Sequence, residues 1–221
     1  MEERKISSAV IKRLPRYMRF LSDLKLEGVE HISSADLSRR MKVTASQIRQ
    51  DLNHFGGFGQ QGYGYNVSYL LAEISRILGL DSPHDMVVIG CGNLGRALAG
   101  YTRFETRGLF IRAMFDIAPP VDHVRDIPVF PMRELEGYLR THACDIAILT
   151  IPKEAAHDTA HRLYACGIRA FLNFAHLDLA LPDDAFVENV HLSDSLMQLT
   201  YRLKESGSTA SGNGSGDSRG N

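Results

Sequence analysis

The chain has 221 residues, of which 44% are hydrophobic and 23% charged, and its formal net charge is -1 at pH 7; this is the composition of a globular protein with one large domain or two small ones. No apolar run approaches the roughly 18 residues that a membrane span needs. The N-terminus MEERKISSAV also lacks the apolar core of a signal peptide. We therefore expect a cytoplasmic protein with no membrane partner. Three cysteines without a CxxC spacing indicate a reducing compartment and argue against a disulfide framework or a structural zinc site.

Charge is unevenly distributed along the chain. Residues 1–55 contain 11 Lys and Arg against 7 Asp and Glu, whereas the remaining residues contain 14 against 19. A basic N-terminal segment before an acidic remainder is typical of a protein whose N-terminal segment meets a polyanion. Many solvated helices show an excess of this size, so the charge alone leaves both interpretations open.

The first predicted helix covers residues 7–26. Its apolar residues recur at steps of three and four, which places them on one helix face: Ile11, Leu14, Met18, Leu21 and Leu24. Pro15 is unfavourable inside a helix but favourable in its first turn, because proline lacks the backbone N–H that a later turn requires. The true start of the helix is therefore expected near Leu14.

A helix-turn-helix is predicted next. Ser33 or Ser34 can cap a short helix that ends at Met41, and Thr44 can cap a second helix after a turn. The second helix directs three apolar side chains inward, namely Ile48, Leu52 and Phe55. Its other side is expected to be mostly polar, with Ala45, Ser46, Gln47, Arg49, Gln50 and Asp51. This is the arrangement in which a recognition helix enters the major groove of DNA.

The glycine-rich stretch GGFGQQGYGYNV follows the second helix directly. Glycine at this density permits a tight hairpin, and the interleaved aromatic residues suit strand positions. A hairpin at this place is the wing of a winged helix. The amphipathic segment SYLLAEISRILGL then completes a predicted winged-helix DNA-binding domain over residues 1–80, and DSPHD is a short linker after it.

The second half of the sequence alternates between strands and helices. Continuous apolar strands, such as MVVIG and CDIAILTIP, predict a parallel α/β sheet with helices on both faces, here a Rossmann-like domain over residues 81–192. Ser193 is expected to cap a C-terminal helix over residues 193–205. The Gly/Ser-rich residues 206–221 are expected to be disordered. The predicted fold class is therefore α/β, with an N-terminal winged helix-turn-helix domain.

A dinucleotide-binding loop is predicted at Gly90-x-Gly92-x-x-Gly95, between a strand and a helix. The first glycine permits a tight turn, the second lets a pyrophosphate approach the backbone, and the third lets helix and strand pack closely. Asp116 stands at a strand end 21 residues beyond Gly95, near the spacing of a ribose-binding acid. A carboxylate there favours NAD and repels the extra phosphate of NADP. The alternative is a glycine turn without a ligand.

Other candidate chemistry is weaker. His157 and His161 have a metal-ligand spacing with Glu154 one turn before them, but a solvated helix face explains them better than a metal site does. Cys91 could be redox-active, because a helix N-terminus lowers a thiol pKa, although a small residue beneath the turn is the simpler interpretation. A small NAD-dependent oxidoreductase would explain the loop but not the first 80 residues.

The combination resembles the Rex family of redox-sensing transcriptional repressors over about residues 7–204. Three stretches support the resemblance: TASQIRQDLNHFGGFGQQGYGYNV, VVIGCGNLGRALAGY and ILTIPKEAAHDTAHRLYACGIRAFLNFA. It implies a homodimer without catalytic activity that senses NAD+ and NADH. The homodimer would bind a palindromic double-stranded operator in its NAD+ or apo state and release it with NADH. It also implies that the C-terminal helix is swapped between protomers.

The resemblance also assigns residues to three roles. The cofactor-binding set is Gly90, Cys91, Gly92, Asn93, Leu94, Gly95, Tyr101, Asp116, Ile117, Thr150, Ile151, Pro152, Asn173 and Phe174. The DNA-binding set is Lys12, Arg13, Arg16, Thr44, Ser46, Gln47, Arg49, Gln50, His54, Gly62, Tyr63 and Tyr65. The switch set, which would couple the two, is Arg19, Tyr101, His191 and Asp194.

Two positions depart from the family pattern. This chain has His191 where the family has an Asp that pairs with Arg, so we expect Asp194 or a different contact to supply that link. It also has Gln50 where many relatives have Lys. Lys prefers guanine whereas Gln can bind adenine through two hydrogen bonds, so we expect an A·T pair where relatives prefer G·C. A solvated Gln50 without a base contact is the alternative.

Overall fold

The computed structural model describes residues 7–53, 59–60 and 64–210, and the chain separates into two compact units, Met1–Pro83 and His84–Asn221. The elements of the N-terminal unit are α1 (Ser8–Ile11), α2 (Leu14–Leu26), β1 (His31–Ile32), α3 (Ser34–Met41), α4 (Ala45–Asn53), β2 (Gly59–Gln60), β3 (Gly64–Asn66) and α5 (Val67–Ile77). The strands pair antiparallel in the order β1-β3-β2. Helices α3 and α4 form the predicted helix-turn-helix, and β2 and β3 form the wing.

The predicted helix over residues 7–26 is in fact two helices. The chain turns after Ile11, and α2 begins at Leu14 with Pro15 in its first turn, which confirms the start that the proline predicts. One side of α2 is buried in the core of the unit, where it packs mainly against α5. That core contains apolar side chains from every helix of the unit, including Val10, Leu14, Leu21, Leu37, Ile48, Leu52, Leu70 and Ile74.

Side-chain caps fix the starts of the two helices in the helix-turn-helix. Ser33, rather than Ser34, caps α3, and its hydroxyl accepts a hydrogen bond from the backbone N–H of Asp36 at 3.0 Å. Thr44 caps α4 as predicted, because its Oγ1 accepts from the backbone N–H of Gln47 at 3.2 Å. Each cap satisfies an N–H that the helix itself leaves unpaired.

Lys42 forms the turn between α3 and α4 in the left-handed conformation, with φ 53° and ψ 43°. This conformation brings the Cβ of an L residue close to its own backbone, and glycine adopts it without that cost. We expect Lys42→Gly to raise the free energy of unfolding by about 0.5–1 kcal/mol in urea denaturation. Lys42→Ala is the control, since it removes the long side chain but keeps the Cβ. A glycine variant no more stable than the alanine variant would contradict the argument.

The C-terminal unit is built on a seven-stranded sheet in the order β10-β9-β8-β4-β5-β7-β6. Its elements are β4 (His84–Ile89), α6 (Asn93–Ala99), β5 (Leu109–Asp116), β6 (His123–Val124), β7 (Ile127–Pro131), α7 (Leu135–Thr141), β8 (Ile146–Leu149), α8 (Lys153–Ala165), β9 (Ala170–Asn173), β10 (Phe186–Asn189) and α9 (Leu192–Ala210). The strands run parallel except for β6, which pairs antiparallel with β7 at the edge. The predicted parallel sheet is therefore confirmed.

Alternating residues of the buried strands face two separate cores. In β4, Val87 and Ile89 join the core that α7 and α8 cover. Met86 and Val88 join the core that includes Ala99 of α6. Because the same strands contribute to both cores, the ends of β4, β5 and β8 are held firmly, and the loops that follow them start from fixed positions.

Two boundaries at the C-terminal end differ from the prediction. Helix α9 begins at Leu192, so Ser193 lies in its first turn and is not the cap. The helix also continues to Ala210, past the predicted end at residue 205, so the first residues of the expected disordered tail are helical. Extending an existing helix costs much less than starting one, which explains how small polar residues can be included. Within residues 7–53, 59–60 and 64–210, no helix is both long and apolar enough to cross a membrane.

Candidate cofactor site and DNA-binding surface

The glycine loop joins β4 to α6 in the geometry that its spacing predicts. Gly90 has φ 102°, a conformation that favours glycine. A Cβ on Gly95 would lie 2.0 Å from the carbonyl oxygen of Gly90, so the helix packs directly against the turn. A Cβ on Gly92 would meet no heavy atom within 4 Å among the described residues, so the backbone at the start of α6 is open to a ligand.

Thr150, which follows β8, fixes the turn from the neighbouring strand. Its Oγ1 lies 2.9 Å from the carbonyl oxygen of Ile89 and 3.1 Å from that of Gly90, and the hydroxyl donates to this pair. The same oxygen would lie within 3 Å of a Cβ on Gly90 or Gly95. Thr150, which was predicted to contact the cofactor, therefore also holds the loop in place.

Asp116 ends β5 beside the loop. Its Oδ2 accepts a hydrogen bond from the backbone N–H of Cys91 at 2.7 Å, and its Oδ1 accepts from the N–H of Ala118 at 2.9 Å. The carboxylate is therefore placed at the edge of the glycine loop, as a ribose-binding acid requires, and it also fixes the loop backbone.

A cavity of about 300 Å³ lies next to this loop. Seven residues of the predicted cofactor-binding set line it: Gly90, Gly92, Asp116, Ile117, Thr150, Ile151 and Pro152. The other lining residues were not predicted from the sequence: Ile89, Phe115, Met132, Ala155 and Thr159. Ala155 and Thr159 stand four residues apart on α8, and that spacing on the helix after Pro152 is the signal that could have found them. The mostly apolar lining suits a flat heterocycle such as adenine, with the polar loop at one side.

The remaining predicted cofactor residues lie outside this lining. Asn93 and Leu94 are exposed in the first turn of α6. Tyr101 is half exposed, and its ring meets that of Phe104 edge to face with centroids 5.0 Å apart. Phe174 lies just beyond β9 and packs against the core on the α6 side of the sheet.

Asn173 departs most from its predicted role. Its side chain is fully buried, and its Nδ2 donates to the carbonyl oxygen of Leu177 and to Oδ1 of Asn189, both at 2.8 Å. Its own Oδ1 accepts from the N–H of Ala175 at 3.0 Å. The amide is thus committed to the ends of β9 and β10 and not to the cavity, because a fully buried amide needs these partners.

Cys91 and the histidine pair on α8 show no sign of separate chemistry. Burial raises the pKa of the Cys91 thiol above its ordinary value, and the carboxylate of Asp116 raises it further. A redox-active cysteine requires a lowered pKa, because its reactive form is the thiolate. The rings of His157 and His161 lie 4.6 Å apart on an exposed helix face. Among the residues that the structure describes, no group of three or more metal-binding side chains is present.

The exposed residues of the recognition helix α4 are available to DNA. Ser46, Arg49 and Gln50 are exposed, and Arg49 donates from Nη1 to the hydroxyl of Ser34 at 3.1 Å. That contact links the recognition helix to α3. The predicted surface of α4 is therefore reproduced at these three positions.

Asp51 is buried, although the sequence analysis places it on the polar side of α4. Its Oδ1 accepts from Nη2 of Arg13 at 2.6 Å and from Nε2 of Gln47 at 2.8 Å. Its Oδ2 accepts from Nε of Arg13 at 2.7 Å and from the hydroxyl of Tyr17 at 2.9 Å. These four bonds, which we call the Asp51 network, join the recognition helix to the start of α2. No neighbouring residue indicates this network, because Arg13 and Tyr17 lie more than thirty residues away in the sequence.

The network also determines the protonation state of Asp51. Burial raises the pKa of the carboxyl, but the hydrogen bonds from Arg13, Gln47 and Tyr17 outweigh burial and hold the pKa below its ordinary value. The carboxylate is therefore ionised at neutral pH, and it can only accept hydrogen bonds. Burial and the bond to Asp51 raise the pKa of Tyr17, so its hydroxyl keeps the proton that it donates.

Several other predicted DNA-binding residues have structural partners. Arg13 uses Nε and Nη2 in the Asp51 network, and Arg16 donates to the carbonyl oxygen of Met41. Tyr65, which was also predicted as a DNA contact, is 7% exposed and belongs to the core: as a strand residue of β3 it faces inward. Lys12 is exposed. His54, Gly62 and Tyr63 lie outside the described residues.

The predicted switch residues occupy different elements. Arg19 is exposed on α2, with its guanidinium carbon 5.9 Å from the ring centroid of Phe20. Nδ1 of His191 lies 3.5 Å from Oδ2 of Asp194 at the start of α9. His191 also stacks on His176 with ring centroids 5.8 Å apart. A carboxylate is therefore present next to the position where the family has its Asp.

Comparison with known proteins agrees with this two-unit arrangement. Residues 5–53 match the family described as "Putative DNA-binding protein N-terminus", and residues 81–177 match the family described as "CoA binding domain". The redox-sensing transcriptional repressor Rex of Caldanaerobacter subterraneus subsp. tengcongensis is 53% identical over 202 residues, which cover 90% of each chain. The repressor of the same name from Clostridium botulinum strain Eklund 17B is 48% identical over 206 residues, 92% of this chain and 98% of its own.

Solved structures give the same result. The crystal structure of RSP in complex with β-NAD+ and operator DNA has a TM-score of 0.86 and 50% identity, and covers 95% of this chain and 99% of its own. The structure of RSP in complex with β-NADH has a TM-score of 0.84 and 47% identity, with 94% and 98% covered. At about half identity along nearly the whole length, the resemblance is confirmed, and the chain belongs to the Rex family of redox-sensing transcriptional repressors.

Proposed function

We propose that this protein is a cytoplasmic, non-catalytic repressor that responds to the ratio of NADH to NAD+. It binds a palindromic operator as a homodimer in its apo or NAD+ state and releases the operator when NADH binds. The observation that supports this best is the pairing of an open glycine loop beside Asp116 in one unit with a recognition helix in the other. The relative RSP, which matches this chain over nearly its whole length, has been crystallised with β-NAD+ and operator DNA and also with β-NADH.

The response requires differential binding and no bond chemistry. A ligand shifts an equilibrium only as far as its affinities for the two states differ. NAD+ and NADH differ by one positive charge and by the planarity of the nicotinamide ring. The glycine loop and Asp116 would hold the pyrophosphate and the ribose of both forms alike. Residues at the edge of the loop, with Tyr101 foremost, would then have to distinguish the two rings.

The exposed apolar row of α9 supports the homodimer. Its residues Leu192, Leu196, Leu199 and Leu203 are each more than half exposed within one chain. A row of this kind is normally covered by another surface. Apolar side chains that follow one another along one helix face would otherwise leave a large apolar patch in contact with water. A second protomer with the same row, related by a two-fold axis, would cover it and would place two recognition helices in successive major grooves.

The function is tested by titrating the purified protein, bound to fluorescent operator DNA, with NAD+ and then with NADH. We expect NADH to release the DNA without being consumed, and NAD+ to leave the complex intact. Steady oxidation of NADH with a small-molecule substrate would support the alternative, a small NAD-dependent oxidoreductase. That alternative leaves the helix-turn-helix unexplained.

We expect Asp116 to select NADH against NADPH. Asp116→Asn removes the charge that would repel a 2′-phosphate and keeps one of the two oxygens that accept from the backbone of Cys91 and Ala118. The ratio of NADPH to NADH affinity should therefore rise about tenfold, a change of about 1.4 kcal/mol. The exposed Asp122→Asn serves as the control for net charge. Equal affinity ratios in the two variants, measured by calorimetric titration, would argue against this role.

We expect Asp194 to take part in the response to NADH, since its carboxylate lies beside His191 where the family has Asp. Asp194→Ala should raise the NADH concentration needed for half release of the operator by about fivefold or more, the lower end of typical coupling energies. Asp183→Ala changes an exposed acid elsewhere in the same unit and should have no effect. Release of DNA by NADH that is unaltered in Asp194→Ala would rule out this contact.

A further inference from the structure

The amide of Gln47 has one end that donates hydrogen bonds and one end that accepts them. A glutamine on a recognition helix can therefore contact several bases, depending on which end it presents. Gln47 stands in the first turn of α4 between the exposed residues Ser46 and Arg49, and it is itself only partly buried. The surrounding side chains decide which end faces outward.

The Asp51 network fixes the orientation of this amide. Nε2 of Gln47 donates to Oδ1 of Asp51 at 2.8 Å, one helical turn further along α4. That carboxylate also accepts two bonds from Arg13 and one from Tyr17, and so cannot rotate toward another position without losing them. Because the carboxylate only accepts, a flipped amide would place Oε1 of Gln47 against Oδ1 of Asp51, and two acceptors repel each other.

The orientation turns the amide oxygen away from the carboxylate. The nitrogen donates one of its two hydrogens to Oδ1 of Asp51, and the oxygen is the amide atom that lies away from it. In the major groove only adenine N6 and cytosine N4 offer an amino donor to such an oxygen, whereas guanine and thymine present acceptors at the corresponding positions.

We propose that Gln47 is a specificity-determining residue that selects a base with an exocyclic amino group, adenine or cytosine, because Asp51 directs its amide oxygen toward the groove. The proposal rests on the proposed function, since it requires α4 to enter the major groove of an operator. It differs from the expectation for Gln50, which concerns a side chain outside the Asp51 network.

A binding-site selection from a randomised half-site library tests the proposal with three proteins. The wild type should enrich adenine or cytosine about tenfold at one position of each half-site. Gln47→Met has a similar length and no amide, and it should lose the enrichment at that position alone. Gln50→Met is the matched control on the same helix, and it should change a different position. Enrichment of guanine or thymine at the position that Gln47→Met alters, or no altered position, would overturn the proposal.

A second measurement uses the wild-type protein and altered DNA, so it does not depend on the folding of a variant. The base at the position that Gln47→Met alters is replaced in the selected operator. Purine replaces an adenine there and 2-pyrimidinone replaces a cytosine, and each of these bases lacks the amino group. Wild-type affinity should fall about tenfold, and Gln47→Met should bind both DNAs equally. An unchanged wild-type affinity would overturn the role of Gln47. If no sequence is enriched from the library at all, the proposed function fails, and the proposal fails with it.

Discussion

Gly95→Ala is expected to weaken NADH binding by about 10- to 100-fold and to destabilise the C-terminal unit by about 1–3 kcal/mol, the usual cost of overpacking. The added Cβ would lie 2.0 Å from the carbonyl oxygen of Gly90 and 2.9 Å from Oγ1 of Thr150. The nearer atom belongs to the backbone of the turn, so relief of the clash must move the loop itself. Fluorescence titration with NADH and thermal unfolding measure the two effects.

Gly92→Ala is the matched control for this prediction. Its Cβ would meet no described heavy atom within 4 Å, and Gly92 has φ -73°, which alanine adopts readily. The variant should therefore unfold at the wild-type temperature and still bind NADH more weakly, because the new methyl group occupies the space through which a pyrophosphate approaches. A Gly95→Ala protein that binds NADH as tightly as the wild type would show that the loop does not need this close packing.

The second large effect is expected from Asp51→Ala, which should destabilise the N-terminal unit by about 3–5 kcal/mol and abolish operator binding. Without the carboxylate, the guanidinium of Arg13 and the hydroxyl of Tyr17 lose their acceptor, and a half-satisfied buried network is worse than none. Glu27→Ala is the control. It removes a carboxylate that pairs with Arg40 on the surface of the same unit, and it should cost less than about 1 kcal/mol. Similar losses in the two variants would contradict the prediction.

The same network predicts how stability depends on pH. The pKa of Asp51 is lowered in the folded protein, so the carboxylate contributes stability at all pH values above the pKa of the unfolded chain. This contribution is lost as the pH falls through the lower pKa of the folded state. Urea denaturation of wild type and Asp51→Asn across the acidic range should therefore show the difference between them shrinking toward low pH.

The regular part of the fold follows from local patterns in the sequence. The steps of three and four in α2, the caps at Ser33 and Thr44 and the apolar strands of the sheet each depend on neighbouring residues. The glycine loop and Asp116 were placed correctly for the same reason, since the loop and the strand end are each short segments whose spacing is fixed by the βαβ unit.

The features that the sequence analysis missed depend on distant partners. The burial of Asp51 requires Arg13, which is 38 residues away, and nothing near Asp51 indicates that partner. Strand β10 was missed because it lies at the edge of the sheet and only Val187 alternates clearly inward, while Phe186 is 72% exposed. Asn173 was assigned to the cofactor through the family resemblance, and its bond to Asn189 of β10 depends on a residue 16 positions further along the chain.

For the redesign of this protein as a biosensor with a new operator, the Asp51 carboxylate divides the recognition helix into two classes of position. All four of its acceptor positions are used, so Gln47 cannot be varied without leaving one of them empty. Ser46 and Gln50 lie outside the network and can be randomised together in a library without removing any of its bonds. Combinatorial selection at those two positions, with residues 13, 17, 47 and 51 kept, is therefore the route to altered operators that preserves the fold.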